Sequence, residues 1–198
     1  MREYVAAPAT FSVPDDWSCV QTAYDRAERT PDNVAFQKPV DGRWTDVTNR
    51  EFAETVRAVG RGLVARGIGA GDRVALLSST RYEWNVLDFA IWAAGAVTVP
   101  VYDSSSPAQI RWIMEDSGAR MIIVENDAHA ATAKEGIEGL ATDIEVLVID
   151  GASPVLDVLA ADGQNTAPSV LDERRASVRA DSPATLIYTS GTTGRPKG

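Results

Sequence analysis

Residues 74–77 read Val-Ala-Leu-Leu, residues 97–101 Val-Thr-Val-Pro-Val, residues 121–124 Met-Ile-Ile-Val and residues 146–149 Val-Leu-Val-Ile. A strand with one wet face alternates apolar and polar side chains, so nearly uninterrupted apolar runs predict strands covered on both faces. The amphipathic stretches between them have the length and pattern of crossover helices. Strand and helix alternating over 73–150 predict an α/β fold: a parallel sheet with crossover helices on both faces.

Working outward, Phe52, Val56, Val59 and Leu63 fall four, three and four residues apart, which places them on one face of a helix. Gly67 supplies a left-handed cap for its end. Thr48 with Glu51, Thr80 with Glu83, and Ser106 with Gln109 have capping-box spacing, and Pro107 stands at a first helical position. Val34 to Phe36 and Arg43 to Thr45 flank Asp41-Gly42, a hairpin pattern, and Ser18 to Arg29 fits an N-terminal helix. Four segments result. A helical and hairpin lead-in spans 17–72, the parallel α/β unit 73–150, a surface excursion 151–183, and a strand with a following loop 184–198. The excursion is rich in Ala, Asp, Ser and Pro, with brief helical signals at 155–160 and 172–178. There is no internal repeat.

The 198 residues are 44% hydrophobic and 24% charged, ordinary for a globular protein. With 19 Lys and Arg against 28 Asp and Glu, the net charge of −9 repels a phosphate backbone or an anionic membrane surface. A nucleic-acid partner is therefore not expected. One cysteine, Cys19, and one histidine, His129, exclude a disulfide framework and a Cys/His zinc cluster. Met1 to Thr10 lacks a basic segment followed by an apolar run, and the uncharged stretch Phe89 to Tyr102 is too short to span a bilayer. The expectation is a cytoplasmic protein with no integral membrane segment.

Chemistry concentrates at the end of the chain. Ala184 to Thr189 reads as a strand, followed by Ser190-Gly191-Thr192-Thr193-Gly194-Arg195-Pro196-Lys197-Gly198. Gly191 and Gly194 allow close backbone approach to a ligand, so that consecutive N–H groups can face one anion. Thr189, Ser190, Thr192 and Thr193 add hydroxyl donors, and Lys197 adds a mobile positive charge. A flexible tail has the same residue classes, and the string is not a Walker A loop, because Pro196 stands where that pattern needs glycine. Gly67-Ile68-Gly69-Ala70-Gly71 precedes a strand instead of following one, which makes it a helix-to-strand turn and not a dinucleotide fingerprint.

The string Tyr188-Thr-Ser-Gly-Thr-Thr-Gly-Arg-Pro-Lys-Gly198 resembles, at every fixed position, the phosphate-loop signature of the adenylate-forming superfamily. Acyl-CoA synthetases, peptide-synthetase adenylation domains and luciferases belong to that superfamily. Asp88-Phe-Ala-Ile-Trp-Ala-Ala-Gly-Ala-Val-Thr-Val-Pro-Val-Tyr102, with Ser104 to Ser106, is similar to its upstream motif as found in long-chain fatty-acid-CoA ligases, with Asp103 a departure. The resemblance runs from about Ser18 to Gly198 and implies the N-terminal part of the large domain of such an enzyme. It implies a carboxylate joined to ATP as an acyl-adenylate, then transferred to the thiol of coenzyme A, with Mg²⁺ accompanying the nucleotide. Carried over by position, Thr189, Ser190, Gly191, Thr192, Thr193 and Gly194 would cradle the β- and γ-phosphates, with Lys197 in support and no catalytic nucleophile or metal ligand among them. The superfamily's later motifs have no counterpart, so this chain alone is expected to be catalytically incomplete. Three alternatives stay open: a fatty-acyl-AMP ligase, a peptide-synthetase domain, and a non-catalytic nucleotide- or protein-binding module.

Other candidates carry blander expectations. His129 begins an Ala-rich helix and reads as a surface residue. Glu115 and Asp116 diverge on a helix and read as a solvated face. Trp84, Leu87, Ile91 and Trp92 share a helical face that reads as core.

Overall fold

The computed structural model describes residues 12–189 and 197–198. After α1 (Gln21–Arg29), the expected hairpin joins β1 (Val34–Val40) to β2 (Arg43–Thr48). Asp41 and Gly42 turn it with φ of 49° and 75°, and positive values at both central residues are what the two-residue hairpin turn with the strands' own twist requires.

Helix α2 (Asn49–Ala65) is closed at both ends by its own sequence. The Thr48 hydroxyl accepts from the Glu51 N–H while the Glu51 carboxylate accepts from the Thr48 N–H, a full capping box. The Thr48 N–H and then its hydroxyl, both bonded to the Glu51 carboxylate, hold that carboxyl below its ordinary value. At the other end Gly67, at φ 83°, donates to Val64 and Ile68 donates to Leu63, a Schellman pair that satisfies two orphan carbonyls. Ser106 and Gln109 form the second box, ahead of Pro107 and α4 (Pro107–Ser117).

The box expected at Thr80 and Glu83 does not form. Helix α3 (Tyr82–Ala93) starts with Arg81 at its cap and no side-chain cap bond. Arg81 instead donates to Glu83 at 2.6 Å and grips Asp150 through both terminal nitrogens at 2.5 and 2.9 Å. Charge-assisted bonds of this kind outcompete a neutral hydroxyl cap.

The four apolar runs become β3 (Arg73–Leu77), β4 (Val97–Val101), β5 (Met121–Val124) and β6 (Glu145–Val148), all parallel, in the order β4-β3-β5-β6. Ala75 lies between Val99 and Ile122. Side chains alternate between two cores. Val74, Leu76, Met121 and Ile123 pack with α1, α2 and α3, whereas Ala75, Leu77, Ile122 and Val124 pack with α4 and α5 (Asp127–Ile137). Helices thus cover both faces, as uninterrupted apolar strands require. Under the sheet, Arg73 binds three carbonyls, those of Gly71, Ser117 and Gly118, at 3.0, 2.6 and 3.0 Å. Gly118 caps α4 at φ 62°.

Two regions depart from the sequence reading. The 151–183 segment, expected as a surface excursion, carries α6 (Val155–Asp162) and α7 (Pro168–Ser177), which bury Val155, Leu159 and Leu171 against α2. The approach is close because Gly62 lacks a side chain: a Cβ there would overlap the Leu159 carbonyl. The 184–189 segment, expected as a strand, pairs in parallel with β4 through a single bridge, Thr98 to Thr185. Thr98 donates to Ala184 and accepts from Leu186, after which the segment leaves the ladder. Its departure follows Tyr188, whose hydroxyl is drawn to α4.

Candidate functional site

The segment beside β4 delivers residue 189 to the same end of the sheet as the carboxyl ends of the strands. Trp92 anchors its start, donating from Nε1 to the Ala184 carbonyl at 2.8 Å. Leu87 and Ile91 are fully buried as expected of a core face, while Trp92 is only partly buried. At the end of the segment Thr189 and Lys197 exchange both backbone hydrogen bonds at 3.0 Å, an antiparallel bridge. Of the predicted site residues, the structure thus brings Thr189 and Lys197 together, both exposed. Ser190, Gly191, Thr192, Thr193 and Gly194 lie outside the described residues. Among the described residues, no carboxylate pairs with the Lys197 ammonium.

Three further side chains were given no site role by the sequence. Tyr188 is buried, and its hydroxyl donates to Asp116 Oδ2 at 2.6 Å. Asp116, expected only as a solvated face, is exposed and yet receives that bond. Burial, then the neighbouring carboxylate, push the Tyr188 phenol above its ordinary value, so it stays a donor. Asp88, on α3, is 6% exposed, and its Oδ1 makes no hydrogen bond. Burial pushes its carboxyl up to about 6, opposed by the nearby Thr98 hydroxyl. One acid within the apolar run Val86, Leu87, Phe89, Ala90 and Ile91 was the signal that could have marked it.

Glu125 follows β5 where the strand order reverses beside β3. Its Oε2 accepts from the Ser79 N–H and hydroxyl, both at 2.7 Å, and from the Ser78 hydroxyl at 3.2 Å. The Ser79 donors hold its carboxyl below the usual value. At the opposite, amino end of β3 and β4 lies a cavity of about 480 Å³, lined by Trp17, Cys19, Trp92, Val97, Val178 and Leu186. His129 is half-buried at the start of α5, where Asn126 caps its backbone N–H. Among the described residues no helix is long and apolar enough to cross a membrane.

A four-stranded parallel sheet with helices on both faces, and with the segment around Thr185 beside its β4 edge, has adenylate-forming enzyme domains as its structural neighbours. The chain belongs to the AMP-binding enzyme family, whose model matches residues 23–198. It is 47% identical over its whole length to the long-chain-fatty-acid–CoA ligase FadD15 of Mycobacterium tuberculosis and of Mycobacterium bovis. It spans 33% of the length of those relatives. The apo structure of Mycobacterium smegmatis MbtA superposes with a TM-score of 0.74 at 25% identity, covering 92% of this chain and 33% of that one. A long-chain-fatty-acid-CoA ligase, FadD1 of Archaeoglobus fulgidus, superposes at 0.73 over 98% of this chain and 38% of that one, and at 19% identity it speaks to fold alone.

Proposed function

We propose that these residues belong to an ATP-dependent acid–thiol ligase that activates a long-chain fatty acid as acyl-AMP and then passes the acyl group to coenzyme A. The observation that carries this reading is the reciprocal Thr189–Lys197 pair, which brings the two ends of the hydroxyl- and glycine-rich string together with a lysine beside its first threonine. In the first half-reaction a carboxylate oxygen attacks the α-phosphorus and pyrophosphate departs, so negative charge on the β- and γ-phosphates must be held in place. The N–H and hydroxyl groups of Thr189, Ser190, Gly191, Thr192, Thr193 and Gly194 are the proposed cradle. Lys197 adds a charge-assisted donor that tracks the leaving pyrophosphate. The work done is positioning and charge stabilisation, with no covalent role for the protein.

Among the described residues no three His, Cys, Asp or Glu side chains are grouped to hold a metal ion. Mg²⁺ bound with ATP takes phosphate oxygens as ligands and neutralises their charge. Coenzyme A supplies the thiol that accepts the acyl group. Identity along the whole chain to a CoA ligase favours this reading over a fatty-acyl-AMP ligase or a peptide-synthetase domain. A single exposed cysteine supports a cytoplasmic location.

The test is fatty-acid-dependent ATP–pyrophosphate exchange, followed by acyl-CoA formation, in the full-length polypeptide carrying these residues. Both activities are expected. The purified 198-residue chain, which lacks the later motifs, is expected to give no exchange. Exchange without thioester formation would assign the acyl-AMP ligase class instead, and nucleotide binding without exchange the non-catalytic one.

A further inference from the structure

We infer that Tyr188 and Asp116 form a positioning pair that sets the base of the phosphate loop, an inference that rests on the phosphate-loop reading above. The ring of Tyr188 is held between the chain entering the loop and the chain leaving it. Thr189, its neighbour, is bonded to Lys197, and Gly198 passes so close to the ring that a Cβ there would come within 2.8 Å of Cζ. The hydroxyl then reaches across to Asp116 Oδ2 at 2.6 Å. Asp116 stands on α4, whose Ile110, Ile113 and Met114 are buried against the sheet. A continuous line of contacts therefore runs from the sheet through α4 and Asp116 to Tyr188, and from Tyr188 to the two residues that close the loop.

The hydroxyl is the telling atom. Packing under Gly198 and against Leu186 needs only the ring, which phenylalanine would supply. Asp116 is exposed and has water as an alternative donor, so Tyr188→Phe strands no acceptor, whereas removing Asp116 leaves a buried hydroxyl without its partner. What the bond fixes is the direction of the ring, and with it the register in which Thr189 meets Lys197. A cradle that must hold phosphates to within a fraction of an ångström gains from such a strut.

The experiment uses the full-length enzyme with Tyr188→Phe, Asp116→Ala, their double variant, Asp116→Asn and Lys197→Ala. The readouts are the KM for ATP and kcat in fatty-acid-dependent ATP–pyrophosphate exchange, the rate of transfer from pre-formed acyl-AMP to coenzyme A, and the melting temperature. Tyr188→Phe and Asp116→Ala are each expected to raise the KM for ATP about tenfold, the equivalent of one charge-assisted hydrogen bond. The double variant should be no worse than either single one, and Asp116→Asn, which keeps an acceptor oxygen, should recover most of the loss. Transfer from acyl-AMP should stay as it is, and so should the melting temperature of Tyr188→Phe, which removes the hydroxyl along with its bond. Losses that multiply in the double variant, fall equally on transfer, or simply track a lower melting temperature would overturn the pairing. If Lys197→Ala weakens exchange while Tyr188→Phe and Asp116→Ala do not, the strut is refuted and the loop reading stands. If Lys197→Ala also leaves exchange intact, the loop reading itself fails and the strut falls with it.

Discussion

Two places along the carboxyl edge of the sheet handle polar groups in opposite ways. Between β3 and β5, where the strand order reverses and open α/β sheets commonly take ligands, the chain fills the crevice with its own carboxylate. Glu125 accepts three hydrogen bonds from Ser78 and Ser79 there, while Arg81 is spent on Glu83 and Asp150. Beyond β4 the reverse holds. Thr189 and Lys197 pair only through their backbones, both side chains face solvent, and among the described residues no acid pairs with the lysine. An edge whose donors already have internal acceptors is a structural joint, and an edge whose donors lack them is ready for an outside anion. On the proposed reading, the usual ligand position in the fold and the one this chain uses are different.

That contrast breaks if changes at the loop edge cost stability instead of chemistry. The largest effect is expected from Gly191→Val in the full-length enzyme, which adds a branched Cβ where the backbone must approach phosphate. Adenylation should fall on the order of 10²–10³-fold. Lys197→Ala removes one charge-assisted donor worth about 1.5–3 kcal/mol, so adenylation should fall about 10- to 100-fold. Transfer from pre-formed acyl-AMP should suffer less from both, because the β- and γ-phosphates have left by then. Equal losses in the two half-reactions, measured separately, would make this edge structural too.

The contrast sharpens beneath the two edges, at Asp88. Its folded-state carboxyl titrates at about 6 against an ordinary 3.8, so the folded chain holds the proton more tightly than the unfolded one. The contribution of this carboxyl to stability is therefore fully present below about pH 4 and is lost as pH rises through about 6, by about 3 kcal/mol in all. Asp88→Asn removes the buried charge but leaves an unpaired amide. Urea unfolding should show it about 2 kcal/mol more stable than the parent at pH 8, and no more stable at pH 4. The smallest effect is expected at Glu125. Glu125→Gln weakens the charge-assisted acceptor for Ser79 and should cost about 1 kcal/mol at neutral pH with no change in adenylation. Because the Glu125 carboxyl is held below 4.5, the parent loses this contribution as pH falls through its folded value, and the difference from the variant should close in acid.

What could be read from the sequence was whatever repeats with the period of one element. The apolar runs at 74–77, 97–101, 121–124 and 146–149 announced strands covered on both faces, and Thr48–Glu51 and Ser106–Gln109 announced helix starts, because each is a local pattern with a local cause. Thr80–Glu83 had the same spacing and failed, since Arg81 found carboxylates at positions 83 and 150, one of them far along the chain. The packing of α6 on α2 was invisible for a different reason: it depends on atoms that Gly62 does not have. The phosphate-loop string stood out by residue type. Its support did not, because nothing in the sequence ties Tyr188 to Asp116, 72 positions away.

Arg73 and Gly118 carry a consequence for inheritance. Gly118 has a left-handed φ of 62°, and a Cβ there would stand 2.6 Å from the Arg73 guanidinium that binds the carbonyls on either side of it. A lone replacement at 118 meets two penalties at once, and a lone shortening at 73 removes three hydrogen bonds, one of them to the part-buried Ser117 carbonyl. Each residue thus makes the other hard to change singly, so descendants of this chain should keep both or exchange both. The two positions behave as one heritable character written 45 residues apart.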